Sequence, residues 1–464
     1  MPNVLDCGRA GLRDVPDCGR AEPRAYRIPG VPDPPTYRTP DVPGLPRAGP
    51  TIIPGAAGAR TAPEAGPGDL AGSRRIGRKC RCRPPRGRPR RAARPPPRAA
   101  AGCPARTIPA RGKGVRRARI PHMPIRHPRP LRPGDRIAVT SPSSGVPEEL
   151  RARLDVAVRA VEARGYEVVV GACMDGSGHV SAPAADRAAE LTAMLTDPDV
   201  RAVVPPWGGE TAIDLLPLLD WGRLRAAEPT WLVGFSDMST LLTPFTLLTG
   251  TATLHGNNLM DTPYRTPEGL LSWLDVVALP EGGRFTQTPP GRHRTSGWDD
   301  WAADPYVDML TLDGTGTWTR LDGNGDVDVE GRLIGGCVET LCHLAGTPYG
   351  DVSAFARAHA PEGLLVYVEA ADDDAFTVCR ALHGMRLAGF FDAAEAVLIG
   401  RATGPGAPSL THHEAVLDAL GPLGVPLIAD VECGHVPPYL PLVNGARGRV
   451  VHTATRHELT QTLD

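Results

Sequence analysis

From residue 131 onward, short apolar runs alternate with segments of helical periodicity. Arg136-Ile-Ala-Val-Thr140 reads as a buried strand, followed by the loop Ser141-Pro142-Ser143-Ser144-Gly145. Leu150, Leu154, Val158 and Val161 then recur on one helical face, with Gly165 as a left-handed stop. Tyr166–Val170 is the next strand, and a helix carrying Ala188, Leu191 and Leu195 ends before Pro198. Strand Ala202–Val204 runs into Trp207-Gly208-Gly209-Glu210, and Leu215, Leu216 and Leu219 mark another helix. Strand Trp231–Val233 reaches Gly234-Phe235-Ser236-Asp237. This alternation predicts a doubly wound parallel sheet over residues 131–260, with ligands at the carboxyl ends of its strands.

Between 261 and 330 the pattern weakens into Gly-, Pro- and Asp-rich sequence with Trp273, Trp298, Trp301 and Trp318. It reads as a linker and an excursion covering the site. Regular structure restarts at Gly331-Arg332-Leu333-Ile334-Gly335-Gly336. Leu364–Glu369, Ala396–Gly400 and Leu427–Ala429 are buried strands, and Thr411-His412-His413-Glu414 is a capping box for a helix through Leu420. Residues 331–464 therefore read as a second, C-terminal α/β domain. The fold class is α/β with two domains, and no internal repeat is visible.

Composition changes the picture for residues 1–122. They hold 26 of the 51 Lys and Arg but 8 of the 52 Asp and Glu, leaving a charge of +18 there and −19 in 123–464. With 23 of the 51 prolines and no Trp or Phe, this stretch cannot bury enough apolar surface to offset its ordering entropy. It reads as a disordered Pro/Arg-rich arm attracted to polyanions. The plainer reading, and the preferred one, is translated upstream DNA, with Met123 as the true start. The folded part, at −19, repels nucleic acid. No run reaches the roughly 20 apolar residues of a membrane span, and no secretory signal is recognisable. Five of the ten cysteines fall in the arm and five are scattered beyond it, the usage of a reduced, cytoplasmic protein.

Three reactive side chains each stand just after a strand. Ser236 lies where a strand turns sharply into a helix, which exposes a hydroxyl and aims the Asp237 amide at a reacting carbonyl. Helix capping is its plainer role. Glu369 ends an apolar strand, where a carboxylate can orient an imidazole, although a solvated strand end is the commoner use. His435, between Gly434 and Pro437-Pro438, can serve as a general base, though most loop histidines are surface residues. Gly208-Gly209 offers amides for an oxyanion, or a phosphate cradle, but no phosphate-loop spelling follows. Cys337, Cys342 and His343 fit no standard zinc spacing, and two Cys with an adjacent His on one helix more often pack in the core; no cofactor is expected.

Taken in order, several motifs resemble the LD-carboxypeptidase family of serine peptidases. They are Pro133-Gly134-Asp135 with Ser141-Pro142-Ser143, Gly208-Gly209 with Leu215-Leu216-Pro217 and Asp220, Gly234-Phe235-Ser236-Asp237, His255-Gly256 and Gly331–Gly336. The family includes the muramoyltetrapeptide carboxypeptidases and the MccF-like microcin immunity peptidases, and the resemblance covers about 131–450. It implies a cytoplasmic, metal-free homodimer with a Ser236–Glu369–His435 triad and oxyanion donors at the amides of Gly209 and Asp237. The implied reaction is cleavage of the L,D amide bond of a murein tetrapeptide, with release of D-alanine. Hydrolysis of an aminoacyl-nucleotide antibiotic is the alternative. Where muropeptide-cleaving members carry tyrosine after the glycine pair, this chain has Glu210. Its tryptophan-rich excursion looks more like the immunity branch, in which an aromatic stacks on the substrate base. Glu210, Trp298, Trp301 and Arg332 are the candidate substrate contacts, with Arg401 a second candidate cation. A reading from another class is a two-domain protein that binds a small ligand without turnover, which Ser236→Ala would separate from an enzyme.

Overall fold

The computed structural model describes residues 123–464; the arm and the alternative start at Met123 concern residues 1–122, outside the described residues. Two sheets organise the chain. The first half contributes β1 (Arg136–Val139), β2 (Glu167–Val170), β3 (Val200–Val204), β4 (Trp231–Gly234) and β5 (Thr253–His255). All five are parallel, in the order β5-β4-β3-β1-β2. The connecting helices are α1 (Arg151–Glu162), α2 (Ala184–Thr196), α3 (Trp221–Ala226) and α4 (Ser239–Thr249). Leu215, Leu216 and Leu219 do not form the regular helix their spacing suggests. A short 3-10 turn over Ala212–Leu215 precedes Pro217, which has no N–H to continue a helix, and α3 starts afresh behind the Asp220 cap.

The excursion is more ordered than its composition suggests. It holds α5 (Trp273–Val277), β6 (Arg284–Gln287), a small ladder of β7 (Arg292–His293) with β8 (Gly314–Thr315), and β9 (Thr319–Arg320). The second sheet follows with β10 (Val327–Cys337), α6 (Val338–Leu341), α7 (Val352–His359), β11 (Leu364–Glu369), α8 (Ala375–Leu387), β12 (Ala394–Gly400), α9 (His412–Leu420) and β13 (Leu427–Val431). The capping box opens α9 as expected: Thr411 Oγ1 accepts from the Glu414 amide, and Glu414 accepts from the Thr411 amide at 2.7 Å. Strands β10 to β13 are parallel and form the centre of an eight-stranded sheet, β6-β16-β15-β10-β11-β12-β13-β9. Its antiparallel flank is β15 (Arg447–His452) and β16 (His457–Thr462), with β6 and β9 from the excursion closing the two edges.

The two sheets share one core. Val366 and Val368 face the cluster that contains Ile137, Val203 and Leu241, while their neighbours Leu365 and Tyr367 face a second cluster with Leu333 and Leu398. Helix α4, directly behind Ser236, is fastened to β10. Ser239 Oγ accepts from the Cys337 amide at 3.0 Å, and Thr243 Oγ1 donates to the Gly335 carbonyl at 2.7 Å. After β13 the chain crosses back, and β14 (Leu442–Asn444) joins the first sheet antiparallel to β5. Asn444 accepts from the Tyr367 hydroxyl at 2.8 Å and donates to Thr253 at 3.2 Å, a polar tie between the sheets.

Candidate active site

Ser236 follows β4 at the carboxyl edge of the first sheet and has φ of +65°, a left-handed backbone that a non-glycine residue adopts only where its surroundings hold it. Those surroundings are specific. The Phe235 amide donates to Asn258 at 3.2 Å. The Asp237 carboxylate accepts from Ser143 Oγ at 2.6 Å, the Ala212 amide at 2.8 Å and Thr240 Oγ1 at 3.2 Å. One carboxylate thus ties the loops after β1, β3 and β4 beneath the serine. A methyl group placed on Gly208 would lie 2.9 Å from Ser236 Oγ and 3.2 Å from the Asp237 nitrogen, so Gly208 and this amide flank the hydroxyl, while Gly209 packs against Ser143 and Ser144.

Glu369 is the last residue of β11, paired with Cys337, and is buried. His435 lies in the loop after β13. Its Nδ1 is 2.8 Å from Glu369 Oε2 and its Nε2 is 2.9 Å from Ser236 Oγ. The carboxylate can only accept, so Nδ1 donates to it, leaving Nε2 to accept from the serine hydroxyl. Burial works to raise the Glu369 carboxyl, but the charge of His435 and its imidazole contacts prevail and bring it down to about 2. Burial works to lower His435, and the adjacent Glu369 charge outweighs it, leaving the imidazole above its ordinary range. A site on two sheets, one giving the hydroxyl and the other the acid and the base, is what this geometry builds.

One neighbour escaped the sequence reading. His255, paired with Gly234 across β4 and β5, places Nε2 3.8 Å from Glu369 Oε1, too long for a hydrogen bond, and neither atom has another partner. His255-Gly256 was visible only as one motif of the ordered set, and nothing local shows that the opposite sheet faces it.

The hydroxyl opens into a cavity of about 920 Å³. Gly209, Glu210, Asp237, Trp298 and Trp301 line it. Trp298 is 56% exposed, whereas Trp301 donates to the Tyr264 hydroxyl at 2.8 Å. Trp273 and Trp318 are buried elsewhere, the first donating to Thr262 and the second to Glu432. The structure does not bring Arg332 to the cavity: the guanidinium pairs with Glu362 at 2.9 Å and donates to the Gly445 carbonyl. Arg401 pairs with Glu432 at 3.0 Å and faces a separate cavity of about 580 Å³. Cys337 is not grouped with Cys342 and His343. Its sulfur joins Glu369 and His435, with ligand atoms within 4.8 Å of one another, although that carboxylate and imidazole are already bonded to each other. A second such group, Cys379, His383 and Asp418, lies away from the cavity. Among the described residues, no helix is long and apolar enough to cross a membrane.

Fold and site together define a hydrolase of the serine peptidase class on an α/β scaffold. Residues 137–256 match the LD-carboxypeptidase N-terminal domain and residues 330–450 the LD-carboxypeptidase C-terminal domain. A protein of Streptomyces coelicolor that carries the carboxypeptidase name is 32% identical over 323 residues, covering 66% of this chain and 87% of its own. The chain belongs to the LD-carboxypeptidase family of serine peptidases. The microcin C7 self-immunity protein MccF of Escherichia coli is 23% identical over 68% of this chain and 91% of its own. The murein tetrapeptide carboxypeptidase of Pseudomonas aeruginosa is 28% identical over 53% and 70%. Among solved structures, wild-type MccF without ligand superposes with a TM-score of 0.61 at 22% identity, over 73% of this chain and 98% of that one. The muramoyltetrapeptide carboxypeptidase of Oxalobacter formigenes gives 0.52 at 21%, over 70% and 98%.

Proposed function

We propose that the chain hydrolyses an amide bond in a small peptide-like substrate, with Ser236 as nucleophile, His435 as general base and acid, and Glu369 as the group that orients the imidazole. The observation that carries this reading is the unbroken chain Ser236 Oγ, His435 Nε2, His435 Nδ1, Glu369 Oε2, with steps of 2.9 and 2.8 Å. Ser236 Oγ adds to the carbonyl carbon as its proton passes to Nε2. The imidazolium is held by Glu369, and the oxyanion turns toward the amides of Gly209 and Asp237. The C–N bond then breaks, the leaving amine takes the proton from Nε2, and water enters by the same path to release the acid and restore the serine.

In the first reading the bond is the L,D amide of a murein tetrapeptide and the product is D-alanine. The family and the named murein relatives support it. A second reading, an aminoacyl-nucleotide, is favoured by the exposed Trp298 face in the cavity and by solved MccF complexes with glutamyl sulfamoyl guanosine and aspartyl sulfamoyl adenosine.

The test incubates full-length protein and Ser236→Ala with L-Ala-γ-D-Glu-diaminopimelate-D-Ala and with an aminoacyl sulfamoyl adenosine, following products by mass spectrometry. Turnover is expected to fall about 10⁴- to 10⁶-fold in the variant with binding retained. D-alanine release supports the first reading, and cleavage of the nucleoside compound alone supports the second. Equal turnover by the variant would remove Ser236 from the mechanism, and binding without turnover would return the protein to a ligand-binding role.

A further inference from the structure

The cavity beside Ser236 is charged in one sense. Six carboxyl groups line it beyond Asp237 and Asp299: Glu210, Asp300, Asp372 and Asp373, together with Asp261 and Glu339, which burial pushes toward the neutral form. The only guanidinium among the described residues that line it belongs to Arg294, and each of its three nitrogens already has an acceptor. Nη2 is 2.6 Å from Asp299, Nε donates to the Thr311 carbonyl at 3.2 Å and Nη1 to that of Gly297 at 3.4 Å. The remaining basic groups are the imidazoles of His343 and His435. No unpaired guanidinium or ammonium is left in this lining to offset the carboxylates of the wall.

Two further observations give this charge a use. The exposed Trp298 stands in the same wall, and an aromatic face beside carboxylates is the arrangement that holds an ammonium group. The molecule already holds a cation this way next door, where the Arg153 guanidinium lies 4.8 Å from the Tyr264 ring and 5.0 Å from that of Trp301. The buried Asp261 carboxyl is driven up to about 7 by loss of solvent, with Arg153 and the Tyr439 hydroxyl only partly offsetting that, so a further positive charge beside it would relieve the strain of ionisation.

We infer that this cleft selects an acyl group bearing a free amine with no carboxylate of its own to offset it: lysine or ornithine, rather than glutamate, aspartate or diaminopimelate. The inference rests on the triad proposed above and specifies the substrate class of that same site. Within murein chemistry it favours a lysine-type stem peptide, and among aminoacyl-nucleotides a basic aminoacyl group.

The experiment labels Ser236 of the full-length protein with a fluorophosphonate and measures protection by lysyl-D-alanine, Nε-acetyl-lysyl-D-alanine and glutamyl-D-alanine. Lysyl-D-alanine is expected to protect at concentrations roughly fivefold below those of the acetylated peptide, the scale of one partly screened ion pair. Asp372→Asn combined with Asp373→Asn is expected to bring the two together; it is read by the ratio of the two protections, not by its own labelling rate. Equal protection by the lysyl and acetylated peptides, stronger protection by the glutamyl peptide, or protection by none overturns the specificity while leaving the triad standing. A wild-type serine that takes no label overturns the triad itself, and the specificity falls with it.

Discussion

His435 and Glu369 pull in opposite directions on pH. Glu369 is held down to about 2, so its contribution to stability is present above the unfolded carboxyl value of about 4.3 and is lost as pH falls toward 2. His435 is raised, so its contribution is full below about 6.5 and fades as pH climbs through the folded value. In the mechanism proposed above, catalysis needs the neutral imidazole. The acid limb of kcat/KM is therefore expected above about 6.5, over the interval in which the pair's support for the fold declines. A pH–rate profile beside melting curves at matched pH checks both. In Glu369→Gln the limb should move down, and kcat should drop by about 10³–10⁴. Gly434→Ala is expected to act on the same pair, because Gly434 has φ of +92° and a methyl there would collide with the Glu369 carboxylate; activity and melting temperature should fall together. At this scale the sequence was informative wherever a reactive residue followed a strand, as Ser236, Glu369 and His435 do. It was silent on His255 and Asp261, whose surroundings come from segments far away along the chain.

Between elements, the excursion is anchored from α1. The buried Arg153 donates to the carbonyls of Met260, Pro305 and Val307, at 2.8, 3.0 and 2.7 Å, under the Tyr264 and Trp301 rings. Arg153→Leu strands these acceptors and should cost roughly 3 kcal/mol in a urea titration. Limited proteolysis within 257–310 should quicken, and KM should rise more than kcat falls. None of this was legible beforehand, since an arginine in a helical pattern reads as an exposed position. Most of the parallel strands were legible because their apolar runs are unbroken, whereas the three-residue β5, with Thr253 and His255, was not. Strands β6, β9 and β14 to β16 were not. They are short or carry polar residues such as Arg447, Arg449, Glu458 and Gln461, and only pairing with a sheet already in place makes strands of them.

For the molecule as a whole, the charge of −19 over residues 123–464 adds a long-range field to the local one in the cleft. Raising ionic strength from about 0.01 to 1 M shortens the screening length from about 30 to 3 Å. Over that range kcat/KM for a lysine-bearing substrate should fall several-fold, while its Nε-acetylated counterpart stays nearly flat. Parallel rate measurements at fixed pH decide it. The return of β14 to the first sheet has another consequence. A piece ending at residue 260 would leave β5 as an open edge, and the missing strand belongs to the other piece, together with Glu369 and His435. Expressed as two polypeptides, 123–260 and 261–464, the molecule should be silent apart and active once brought together, the behaviour wanted of a split reporter for protein association.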